Sequence, residues 1–100
     1  GTASYVLAGV SGGMRLSFGS ACHGAGRRMS RTQAKQSARG RSIFADMEKR
    51  GVLVACASKR TLAEEIPEAY KDVGSVVDVV DRAGIARKVA RLRPVAVVKG

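Results

Sequence analysis

Tryptophan is absent from this 100-residue chain, aromatic residues make up only 4% of it, and there is a single histidine. A core must therefore be assembled from Val, Ile, Leu and Ala, and the base-stacking surface on which single-strand RNA modules rely is scarce. Cys22 and Cys56 stand far apart, and neither belongs to a CxxC pair. With one His besides, the chain has too few ligands for a closed zinc site, and no metal-ligating residue is assigned to it. No signal-peptide pattern is present, and no apolar run is long enough to span a bilayer. The expectation is a cytoplasmic chain with free thiols and no membrane contact. Walker and dinucleotide-binding glycine patterns are missing as well. So are internal repeats and low-complexity linkers.

Acidic residues are the other shortage. Eighteen Lys and Arg face eight Asp and Glu, for a formal net charge of +10. Such a balance favours polyanionic partners, nucleic acid or nucleotides, through long-range attraction. Part of the same charge can instead be solvated surface or pair with acidic segments elsewhere. The sequence opens Gly1-Thr2-Ala3 without an initiator Met and enters a strand-like run at once, so a fragment is expected.

Periodicity and punctuation give a first map of the fold. Tyr5–Val10 and Met14–Phe18 read as two strands joined by Ser11-Gly12-Gly13, a β-hairpin. Ser30-Arg31-Thr32-Gln33 has capping-box spacing and opens a polar helix to about Ala38. Ser42 opens a second, stopped by Gly51. Val52–Ala57 reads as a buried strand. Thr61-Leu62-Ala63-Glu64 is a further capping box, cut short by Pro67. Ser75–Arg82 places valines at helical spacing and closes at Gly84. Ile85–Lys99 is ambiguous except for a Val-rich strand, Val95–Val98. The fold class is α+β, mixed α/β layers: a β-hairpin followed by helices and further strands.

His23 lies in Ser20-Ala21-Cys22-His23-Gly24-Ala25-Gly26-Arg27-Arg28, a stretch read as a loop between a strand and a helix. Glycines there let the backbone approach a ligand, and backbone N–H groups in such turns make anion sites. Arg27 and Arg28 offer guanidinium forks that match phosphate oxygens. An imidazole that is neutral near physiological pH can attack phosphorus. The residues alone say that the loop binds phosphate and can react with it; a lone His beside glycines is also an ordinary turn residue.

Ser17-Phe18-Gly19-Ser20, Cys22-His23-Gly24-Ala25-Gly26-Arg27 and Ser30-Arg31 resemble the signature of the RtcB family of RNA ligases. So do the opening Gly1–Leu7, Glu65–Val73, Ala83-Gly84-Ile85, Lys88–Pro94 and the terminal Lys99-Gly100. The likeness runs in order over essentially the whole chain. Departures are small: Ile66 and Gly74 stand where the family usually has Ala and Asp, and Ala21 replaces a common Thr.

The resemblance implies a GTP-dependent ligase that joins RNA 3′-phosphate or 2′,3′-cyclic phosphate ends to 5′-hydroxyl ends in tRNA splicing and RNA repair. On it, His23 is the nucleophile that becomes guanylylated, and Arg27 completes the catalytic motif. Ser4, His23, Gly24, Ala25, Gly26, Tyr70 and Lys99 are implied to bind the guanylate. Manganese is implied at ligands outside this segment. Residues 1–100 would then be the C-terminal segment of a larger catalytic domain, not an independent domain, and inactive by themselves. RNA, GTP and the remainder of the ligase chain are the implied partners, with an archease-type activator a further candidate. A different class of function stays open from the residues: a basic RNA- or guanine-nucleotide-binding module without chemistry, using Arg27, Arg28, Arg31, Arg39 and Arg41.

Overall fold

A computed structural model describes residues 2–99. Gly1 and Gly100, the outermost residues of the resembling segments, lie outside the described residues. In chain order the elements are β1 (Ser4–Gly9), α1 (Ser11–Ser17), α2 (Arg31–Ser37), α3 (Ile43–Lys49), β2 (Leu53–Cys56) and α4 (Lys59–Glu64). A single 3₁₀ turn (Pro67–Ala69), α5 (Val73–Arg82), β3 (Ala86–Leu92) and β4 (Ala96–Lys99) follow. Helices and small sheets are mixed, as an α+β chain requires. None of the described helices is long and apolar enough to cross a membrane.

The chain divides into two compact units. The first holds residues 27–70 and 94–100, with 1–2. Its α2 begins at the capping box read from the sequence: Ser30 Oγ accepts the Gln33 N–H at 3.1 Å, and Gln33 Oε1 accepts the Ser30 N–H at 2.9 Å. Ser42 caps α3 through the Ala45 N–H. Ala34, Ala38, Ile66 and Ala69 form the buried cluster, with Met29, Ile43, Ala63 and Tyr70 packed around it. Small side chains at Ala34 and Ala69, both fully buried, let α2 lie close against the 3₁₀ turn. β2 and β4 pair in parallel, Leu53 opposite Ala96 through Cys56 opposite Lys99.

Two expectations fail in this unit. Val52–Ala57 does form a strand, but a half-covered one: exposure alternates along it, and Leu53 is 74% exposed. An unbroken apolar run cannot by itself say how many faces are covered. Thr61 is not a helix cap. It sits inside α4, which starts after Ser58, because the residues before Thr61 are free to continue the helix backwards.

The second unit holds residues 3–26 and 71–93. Here β1 pairs antiparallel with β3, Ser4 opposite Leu92 and Gly9 opposite Ala86, with a bulge between Val6 and Leu7. Asp72 caps α5, accepting the Ser75 N–H and hydroxyl at 2.7 Å each, and α5 buries Val77 and Val80.

The β-hairpin expected over Tyr5–Phe18 is absent, because Ser11–Ser17 is helical. A Cβ on Gly12 or Gly13 would stand 2.6 Å from the carbonyl oxygens of Gly84 and Ile85, so the glycines serve close packing of α1, not a tight turn. Helix α1 closes where Phe18 adopts the left-handed conformation (φ 54°), its N–H bonded to the Gly13 carbonyl. The Ser17 hydroxyl adds a bond to the same carbonyl at 2.9 Å. The partner of β1 is the stretch that sequence periodicity left ambiguous.

Candidate active site

The His23 loop therefore follows a helix, not a strand. Ser17 Oγ also donates to the Ser20 carbonyl at 2.6 Å, folding the chain back at the loop's start. From there to Gly26 the backbone is irregular. His23 and Gly24 are exposed, whereas Cys22 and Ala25 are half-buried. Nothing lies within 4 Å of where a Cβ on Gly24 or Gly26 would stand, and Gly26 has φ +73°. The loop thus presents an imidazole beside open backbone, an arrangement suited to a bound anion. The Gly26 carbonyl accepts the Lys71 N–H at 3.0 Å, which fixes the loop's far end to the start of the segment leading into α5. Ser4, in the same unit, is exposed at the first position of β1.

Arg27, Tyr70 and Lys99 belong to the other unit. Arg27 and Tyr70 are bridged through their backbones, and the Arg28 and Met29 N–H groups reach the Ala69 carbonyl at 2.9 and 3.2 Å. Arg27 was expected to present a phosphate fork. Its Nε instead donates to the Met29 carbonyl at 3.1 Å and its Nη2 to the Glu64 carbonyl at 2.6 Å. Nη1 donates to the Tyr70 phenol oxygen at 3.1 Å and lies 3.7 Å from a Glu65 carboxylate oxygen. Its guanidinium carbon sits 4.9 Å from the Tyr70 ring centre. Arg28 is exposed, with Nε on the Glu68 carbonyl at 2.9 Å. Lys99, the last residue of β4, is half-buried, and its carbonyl accepts the Ala57 N–H at 3.1 Å.

The acidic pair Glu64-Glu65 is tied to cations and to the Tyr70 phenol. Glu64 pairs with Lys35 at 2.7 Å and Arg31 at 3.3 Å. Its carboxyl is held below its ordinary range, chiefly by the hydrogen bond from Lys35. Glu65 accepts the Tyr70 phenol proton. Burial and that neighbouring carboxylate raise the Tyr70 phenol above its usual value, against the lowering pull of Arg27. The signal was available in Pro67. A proline-led turn between Glu65 and Tyr70 can fold the ring back over the helix end.

The thiols of Cys22 and Cys56 are free, the latter donating to the Ser58 carbonyl at 3.0 Å. Among the described residues, no group of three or more His, Cys, Asp or Glu converges so as to hold a metal ion. The donor set here does not fit a manganese centre.

A family model described as tRNA-splicing ligase RtcB matches residues 1–100. The chain belongs to the RtcB family. It is 56% identical to the tRNA-splicing ligase RtcB of Pyrococcus abyssi over 100 residues, all of this chain and 11% of that protein. Against the tRNA-splicing ligase RtcB of Thermococcus kodakarensis, identity is again 56% over the whole chain, which covers 21% of that relative. The RNA-splicing ligase RtcB of Mycobacterium tuberculosis is 54% identical over the same span, 23% of its length. The chain thus spans less than a quarter of the length of these RtcB relatives.

Proposed function

We propose that these residues are the C-terminal, guanylate-handling segment of a GTP-dependent RNA ligase, with His23 as its nucleophile. The observation that carries the reading is the exposed imidazole beside Gly24 and Gly26, whose Cβ positions face open space. RtcB relatives bearing the name of tRNA- or RNA-splicing ligase over the whole of this span support it.

In the proposed reaction a His23 ring nitrogen attacks the α-phosphorus of GTP. A nitrogen–phosphorus bond forms as the bond to pyrophosphate breaks, and pyrophosphate leaves with the electron pair. The RNA 3′-phosphate then takes the GMP from His23. The 5′-hydroxyl of the second RNA end displaces GMP, closing the phosphodiester. Gly24, Ala25 and Gly26 run along the nucleotide phosphate, where backbone N–H groups meet negative charge without side-chain obstruction. Ser4, Tyr70 and Lys99 line the guanylate. This segment's residues do not form a manganese site; the metal would be held by residues elsewhere in the ligase and would supply polarisation of the phosphate. RNA ends and the rest of the ligase chain are the partners in this reading.

A basic RNA-binding module without chemistry is the weaker alternative. Three of its five arginines, Arg27, Arg31 and Arg41, already pair with carboxylates. The deciding experiment supplies labelled GTP and manganese to the full-length ligase. Label should appear on the protein and vanish in His23→Asn. Label that survives the substitution removes His23 as nucleophile, while salt-dependent RNA binding without any adduct favours the non-catalytic module.

A further inference from the structure

A guanidinium grips a phosphate with two parallel N–H groups along one edge. Arg27 has given three of its five N–H groups, one from each nitrogen, to protein acceptors. Nε is on Met29, Nη2 on Glu64 and Nη1 on Tyr70, with a Glu65 carboxylate oxygen 3.7 Å from Nη1 as an ion pair. Glu65 also offsets the charge that would draw phosphate in.

What these contacts hold is the Tyr70 ring. Its phenol oxygen accepts from Arg27 and donates to Glu65, so both of its hydrogen-bonding roles are used. The guanidinium covers the ring at 4.9 Å, within cation–π range. The ring's other neighbours are the buried cluster of Ala34, Ala38, Ile66 and Ala69. Its backbone is tied by the bridge to Arg27 itself and by its N–H to the Pro67 carbonyl at 3.2 Å.

We infer that Arg27 is a positioning residue: it sets the orientation of Tyr70 and touches the guanine nucleotide only through that ring, not as a phosphate ligand. The nucleotide part rests on the proposed function above; the link between Arg27 and Tyr70 does not.

A double-mutant cycle in the full-length ligase separates the two roles. The readout is the GTP concentration that half-saturates labelling of His23. Arg27→Ala and Tyr70→Ala should each raise it by about tenfold, the scale of one charge-assisted hydrogen bond, while label at saturating GTP is retained. The double variant should be no worse than the poorer single one, since both remove the same ring placement. Additive losses would overturn the inference, because an arginine on phosphate acts independently of Tyr70. Arg27→Lys should resemble Arg27→Ala, as one ammonium cannot span Met29, Glu64 and Tyr70 at once. Rescue by Lys would point to charge alone and overturn it too.

A second measurement needs no nucleotide. With ring-labelled tyrosine, the Tyr70 signal, assigned by its loss in Tyr70→Phe, should titrate at higher pH in Arg27→Ala, which removes both the charge and the hydrogen bond. The sign follows from Arg27's lowering effect on the phenol. An unmoved titration in soluble Arg27→Ala sinks the positioning role. If the unsubstituted ligase takes no label, the nucleophile assignment falls, and this titration alone decides the link.

Discussion

The two units use charge in opposite ways. In the one containing residues 27–70, cations are matched internally: Arg31 and Lys35 meet Glu64, Arg27 meets Glu65, and Arg41 meets both Asp46 and Glu68. The Glu68 carboxyl is held low, first by its own backbone N–H and then by Arg41. In the other unit Lys88 pairs with Asp78, but Arg87 and Arg91 stand exposed along β3, and a separate loop presents His23 and bare glycine backbone. The net charge of +10 already subtracts the carboxylates, so these pairs do not lower it; they decide which cations are engaged by neighbours. Net charge counts groups; it does not say which are already spent on neighbours.

If the first unit stands on its small alanine-lined cluster, with exposed ion pairs adding little, a core truncation should outweigh any charge removal. Ile66 is 1% exposed and is the largest side chain fully buried. Ile66→Ala should cost about 2–5 kcal/mol, the range for emptying a packed aliphatic site. Hydrogen exchange in the full-length ligase checks it: amides of α2 and α4 should lose protection, with α5 and β3 nearly unchanged. Equal loss in both units would erase the contrast between them.

Gly13 tests the second unit. Alanine normally stabilises a helix interior over glycine by up to about 1 kcal/mol. Here its Cβ would meet a backbone oxygen of Ile85 at 2.6 Å, and main chain cannot swing aside as a side-chain tip does. Overpacking of about 1–3 kcal/mol should win, so Gly13→Ala lowers the thermal midpoint. A raised midpoint would mean that α1 does not approach Ile85 so closely.

Local chemistry was legible in the sequence wherever one residue type served one local need. Ser30 with Gln33, and Ser42 with the amide of Ala45, do what their spacing announces. What escaped depends on partners distant in the chain. Met14–Phe18 alternates like a strand, yet β1 takes its partner from Ala86–Leu92 and leaves that stretch to fold as α1. The His23 loop stands out in the sequence because glycine and a lone imidazole announce themselves. The partners of Arg27 were not legible because its acceptors, Glu64 and Tyr70, lie 37 and 43 residues away, beyond any periodicity. Motif reading locates chemistry-bearing residues; it does not say which hydrogen-bonding groups remain unspent.

Helix caps give a smaller effect, and they sharpen the contrast because both units have side-chain caps. Ser30→Ala removes the hydroxyl that accepts the Gln33 N–H while leaving the residue-30 N–H on Gln33 Oε1, and should cost about 1 kcal/mol, read as faster exchange at the Gln33 amide. An unchanged rate there would show that α2 is held by packing alone.

Asp72, the cap of α5, adds a pH dependence. Its carboxyl is held below the ordinary value, first by the Ser75 hydroxyl and then by the Ser75 amide. A carboxylate whose folded value lies below its unfolded one contributes stability above the ordinary range, about pH 4, and loses it as pH falls further. α5 should therefore loosen in acid. Asp72→Asn keeps the cap geometry, since Asn caps about as well as Asp, but removes the ionisation. Comparing α5 amide protection between variant and parent at each pH cancels intrinsic exchange. The gap should be widest above the carboxylate range and close as acid protonates Asp72. Glu64 and Glu68, also held low, lie in the other unit, so acid loosening of α2 and α4 should persist in Asp72→Asn. If the variant abolished acid sensitivity in both units, the pair would unfold as one body under acid, and their separate electrostatics would carry no independent weight.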